Sequence, residues 1–177
     1  MGHYRFSGGR GSVRTMLSRI FCKILHDLGA AGVIGAFATI LLLASIAPDP
    51  AVSLSSYADY RRGIALVSKW LLVPALFATI CSGLLAMMAN RAYLDQGWAW
   101  LKAALGVAMF EGTLVSVDAT ARKAAELAAA ASAEGVRDPA ALAALLRTER
   151  GGLWTLLVLA IANVVIAVWR PRFVRLP

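Results

Sequence analysis

The sequence predicts an all-α protein, a bundle of four transmembrane helices with an extramembrane helical hairpin between helices 3 and 4. Three observations carry that prediction. The chain has 177 residues, 59% of them hydrophobic, and a mean hydropathy of +0.68, more apolar than one soluble core requires. Four apolar stretches are each long enough to cross about 30 Å of hydrocarbon. The formal net charge of +8 sits between those stretches. In a soluble chain that charge would suggest nucleic acid; here its placement fits orientation in a bilayer, so lipid and not nucleic acid is the expected partner.

Residues 1–20, with Arg5, Arg10, Arg14 and Arg19 amid glycine and serine, read as a disordered basic tail. The membrane domain follows over residues 21–172. Its first span covers 25–47. That stretch imitates a signal peptide, but it is longer than a signal core and Pro48 follows the small-residue site, so it is expected to stay as an anchor. Residues 48–62 hold prolines, serines and charges, which is loop chemistry, with Tyr57 and Tyr60 as interfacial anchors. The second span covers 63–88 and carries Pro74, where a kink is predicted because the ring removes a helical hydrogen bond.

The third span, 98–118, opens on Trp98 and Trp100, an aromatic belt at the headgroups. Ala119 to Ala133 is almost wholly strong helix formers, so this helix should project past the membrane. Gly135 to Pro139 breaks it and a short helix, Ala140 to Arg150, returns. Residues 119–150 thus form the predicted hairpin, and Gly151-Gly152 leads into a fourth span over 153–169. Arginine and lysine concentrate on the side holding both termini, which the positive-inside rule makes cytoplasmic. Cys22 and Cys81 share no metal or redox spacing, and no disulfide is expected.

Ionisable groups inside hydrocarbon need a partner or a purpose. Lys69, Glu111, Asp118 and Asn163 form a candidate intramembrane polar network, read as internal ion pairing of Lys69 with Asp118 or Glu111 and an interhelical hydrogen bond from Asn163. An ion or small-solute path through Glu111, Lys69 and Asn163 is the sharper alternative. His26 opens a face of small residues, with Gly29, Val33, Ala36 and Ile40 beneath it and Gly32 adjacent. Such a face permits close helix packing. It would equally leave room for a flat macrocycle ligated by His26, with Met87, Met88 or Lys102 at similar depth as second ligands.

Lys23-Ile24-Leu25-His26-x-x-Gly29-Ala30-x-x-x-x-Gly35 in the first helix, Ser82-Gly83-Leu84-Leu85 in the second and Trp98-x-x-x-Lys102 in the third carry a resemblance. The chain resembles a group of bacterial four-helix membrane proteins: an uncharacterised integral-membrane family, the copper-resistance CopD-type domain and the HemJ-type protoporphyrinogen oxidase. The resemblance implies a bacterial inner-membrane location. It also implies haem association through His26 and Lys102, with His26 as the metal ligand. The leading reading is a structural or accessory membrane protein with a candidate haem site, acting as a homodimer or complex subunit and having no assigned catalytic residue. A HemJ-like porphyrin oxidoreductase is the alternative.

Overall fold

The computed structural model describes residues 9–50, 52–134 and 139–169, and among them helix predominates and no strand occurs. The tail before Gly9, the predicted turn at 135–138 and the arginines beyond Trp169 lie outside the described residues. Helix α1 runs Gly9–Ile46. It begins earlier than the predicted basic tail allows, because nothing between Gly9 and Ile46 is a proline and arginine, methionine and leucine are good helix formers. It stops just before Pro48, whose ring disfavours helical backbone at the preceding residue.

The second rod joins α2 (Leu54–Val67), a π-helical turn (Ser68–Leu72) and α3 (Val73–Met88). It starts nine residues ahead of the predicted span, so part of the expected loop is helix. A single turn, α4 (Arg91–Leu94), leads to the third rod. That rod joins α5 (Gly97–Gly112), a second π turn (Thr113–Asp118) and α6 (Ala119–Glu134). Helix α7 covers Pro139–Trp169 without interruption. The predicted short helix and fourth span are therefore one helix. Gly151-Gly152 weakens such a helix without breaking it, and Gly152 has a packing role: a Cβ there would lie 2.6 Å from the Ser116 Cβ. Among the described residues four segments, Arg19–Ile46, Leu54–Met88, Gly97–Ala133 and Leu142–Trp169, are long and apolar enough to cross a membrane. The fold is thus compatible with an integral membrane protein.

Each π turn is marked by its i→i−5 hydrogen bond: the Val73 amide donates to the Ser68 carbonyl, and the Ala119 amide to the Leu114 carbonyl. The first lies two residues before Pro74, whose missing N–H and bulky ring would otherwise conflict with the carbonyl of Trp70. The widened turn accommodates that conflict.

Helix α1 packs on α3, and α2 lies along α6. Helix α5 packs on both α3 and α7, and α6 also meets α7. We call the end carrying the α1–α2 connection the far end, and the end carrying α4 the near end. The core runs through Val33, Phe37, Ile40, Ile64, Leu72, Leu76, Met109, Val117, Leu153 and Leu156. At the far end Ala121, Ala124, Ala128 and Ala131 are buried on one stripe of α6, and their small size lets neighbouring helices approach closely. Little of the apolar surface is used inside the chain. Only 11% of the most apolar window of α7 is buried, which leaves its valines and isoleucines for lipid or a partner.

Candidate functional site

His26 is set by the crossing of α1 and α3. Its Nδ1 lies 2.9 Å from the Thr79 main-chain oxygen. A carbonyl only accepts, so Nδ1 carries a proton, and in the neutral ring Nε2 then keeps its lone pair. Ser82 Oγ is 3.5 Å from the same nitrogen and donates to the Ala78 carbonyl at 2.6 Å. Gly83 lies under the ring, where a Cβ would be 3.5 Å from Nδ1 and Cε1.

The glycine face below His26 is filled by α3. A Cβ on Gly29 would overlap the Thr79 hydroxyl and lie 2.9 Å from the Ala75 carbonyl oxygen, and one on Gly32 would lie 2.9 Å from the Ala75 Cβ. The space that a macrocycle would need between these helices is taken by main chain. Of the other residues expected beside His26, Met87 is half-buried one turn past Gly83 on α3, whereas Met88 is exposed. Lys102 is half-buried on α5. Helices α1 and α5 both pack on α3 and share little contact with each other.

Among the described residues no ion pair joins members of the expected polar network. Lys69 is exposed, with Nζ 5.3 Å from the Trp70 ring centroid, a cation–π contact. Asp118 is buried and pairs with Arg122, one turn on, at 3.1 Å. It does not pair with Lys69. Glu111 is exposed on α5. Asn163 is half-buried on α7, with its side-chain oxygen buried and unpartnered. Among the described residues no group of three or more His, Cys, Asp or Glu side chains could hold a metal ion.

The most buried charges among the described residues are one that the sequence places in a loop and one that it places in the extramembrane hairpin. Arg61 on α2 and Glu149 on α7 form an ion pair at 2.6 Å, with side chains 3% and 6% exposed. Tyr57, expected at the membrane interface, is buried one turn before Arg61. The signal was present in the spacing: Tyr57, Arg61, Ile64 and Ser68 recur at i, i+4, i+7 and i+11, as do Glu149, Leu153 and Leu156 at i, i+4 and i+7. Opposite charges on the inward stripes of two helices invite pairing.

The chain matches no protein-family model, no curated protein and no solved structure.

Proposed function

We propose that the protein is a structural or accessory membrane protein that works as an assembly, with the exposed face of α5 as its contact surface. One observation carries this reading, the exposure of Glu111. Glu111 stands thirteen residues past Trp98, about 20 Å along a helix axis. In the proposed membrane placement that is deep in hydrocarbon, where a bare carboxyl on the lipid face costs about 3 kcal/mol or more. Trp100, Ala104, Val107, Ala108 and Val115 share the exposed stripe with it. Small residues flanking a polar one suit a close helix pair held by a hydrogen bond. A second copy meets that need directly. A two-fold contact sets Glu111 against itself, and two carboxyls holding a proton between them exchange donor and acceptor.

The test is disulfide trapping of Ala108→Cys, in a Cys22→Ser, Cys81→Ser background, in native membranes. The dimer band should form, persist with Glu111→Gln and fall with Glu111→Leu. A band indifferent to Glu111→Leu, or no band at all, overturns the homodimer. We place both termini in the cytoplasm of a bacterial inner membrane, supported by the clustering of arginine and lysine near them. A reporter after Pro177 should be active only on that side.

A second reading, haem ligation by His26, draws on the Nδ1 hydrogen bond to Thr79, which leaves Nε2 as a ligand atom in the manner of metal-bound histidines. The filled glycine face weighs against a macrocycle between α1 and α3, so no reaction is assigned to it. A Soret band lost in His26→Ala would support this reading, and a colourless protein expressed with ample haem would end it.

A further inference from the structure

We propose that the two π turns together hold a binding site for a small hard monovalent cation of the sodium class, formed by Asp118, Ser68 and Thr113. The proposal is independent of the assembly reading. Serine and threonine inside helices ordinarily donate to the carbonyl three or four residues back. Thr79, Ser82 and Thr120 do so here, at 2.8, 2.6 and 2.6 Å. Ser68 and Thr113 do not. Both are fully buried, one at the start of each π turn, and their hydroxyl oxygens have no partner. Asp118, at the end of the second turn, is 7% exposed. Its Oδ2 pairs with Arg122, and its Oδ1 is buried and unpartnered. Buried polar atoms are otherwise almost always satisfied.

Packing brings these oxygens into one region. The two π turns touch. The second and third rods, joined through the short α4 connection, run antiparallel, and two contacts fix their register. A Cβ on Gly106 would lie 3.5 Å from Ile80 Cγ1, and the Phe110 and Phe77 rings are 6.1 Å apart. Followed residue for residue, that register sets Asp118 level with Ser68 and Thr113 level with Val73. Thr113 and Asp118 are separated by five residues, which the inserted π residue turns into near-neighbours on one face, and both are buried there. One carboxylate oxygen and two hydroxyls are hard ligands, and water with π-turn carbonyls can complete the shell. A single carboxylate suits a single positive charge. Arg122 is 56% exposed, so it holds the outward oxygen from the solvent side and competes with a cation for the same carboxylate.

The test is thermal unfolding of the detergent-purified protein titrated with sodium chloride against potassium or choline chloride at constant ionic strength. A ligand bound by the folded state raises the midpoint with concentration. Sodium should raise it saturably and potassium should not. Asp118→Asn should abolish the response, and Ser68→Ala or Thr113→Val should each weaken the apparent sodium affinity about tenfold, the loss of one ligand. Arg122→Gln should strengthen it. Identical curves in sodium and potassium, or a response that survives both Asp118→Asn and Ser68→Ala, overturn the site. So does a response to pH alone, which would make Asp118 a proton site. Ser68→Ala changes one small buried group, so it tests the proposal even where Asp118→Asn fails to fold.

Discussion

Substituting Glu149 by leucine while Arg61 remains leaves a guanidinium buried with nothing to neutralise it. At the observed 2.6 Å and an effective dielectric near 20, the attraction lost is about 6 kcal/mol. Much of it offsets the cost of drying the two ions, several kcal/mol each, so the net contribution of the pair is small. The single substitution does not recover that drying cost for Arg61. It should destabilise by about 3–5 kcal/mol, as should Arg61→Met alone. The double variant should behave differently. Arg61 Nε and Glu149 Oε1 have no hydrogen-bond partner, so the pair is incompletely satisfied. A methionine–leucine replacement should come within about 1 kcal/mol of the parent, or exceed it. Unfolding in mixed micelles, followed by tryptophan fluorescence, gives all four corners of the cycle. If the double variant loses the sum of the two single losses, the two charges are uncoupled and the reasoning fails.

Two glycine pairs and one deletion test the packing. Gly29→Ala should destabilise by about 1–3 kcal/mol through overlap with Thr79 and Ala75, while Gly35→Ala, with nothing within 4 Å, should be neutral or gain up to about 1 kcal/mol of helix propensity. Thermal unfolding of the two variants side by side decides the matter, and equal effects would refute the seam. Gly152→Ala should cost stability against Ser116 where Gly151→Ala, in open space, should not, again read by unfolding midpoint. Deleting Lys69 removes the extra residue of the first π turn and returns Ile64, Ser68, Leu72 and Leu76 to an i, i+4, i+7, i+11 stripe of a regular helix, so the Arg61–Glu149 pair and the α1–α3 seam should both still form. The deletion should unfold close to Lys69→Ala, and a far lower midpoint would count against the role given to the turn.

The architecture was legible because it rests on bulk properties. Apolar length found four helices, and the run of helix formers after Asp118 correctly extended the third rod. Errors fell where one residue's neighbours decide the outcome. The Gly151-Gly152 pair reads as a breaker by propensity, yet α7 runs through it because Gly152 is where Ser116 approaches. The residues ahead of Gly63 read as a loop from their charges and serines, yet α2 is helical from Leu54 because Tyr57, Arg61 and Ile64 give it an inward stripe. Site residues were harder still. His26 was singled out for its small neighbours, and the structure uses those neighbours to admit α3. Arg61 and Glu149 were treated as topology charges, because sequence shows that a charge lies on a stripe but not that its counter-charge is 88 residues away.

The π turns give these placements a common cause. In the second rod the buried positions Ile64, Ser68, Leu72 and Leu76 advance by three successive steps of four, and in the third rod Met109, Thr113, Val117 and Ala121 do the same. On a regular helix each step of four overshoots a full turn by about 40°, so three steps would carry the stripe about 120° away from its partner. One inserted residue takes up that drift, and each rod has its insertion within the drifting stretch. The alternative, a regular helix with three-residue steps, would have kept the stripe aligned without freeing any polar group. Keeping the stripe by insertion instead leaves Ser68 and Thr113 buried with their hydroxyls unpartnered, and the second turn ends in Asp118, a carboxylate satisfied on one side only. That combination serves no packing purpose a leucine or valine would not serve better, and a ligand for those oxygens is what would make it worth retaining.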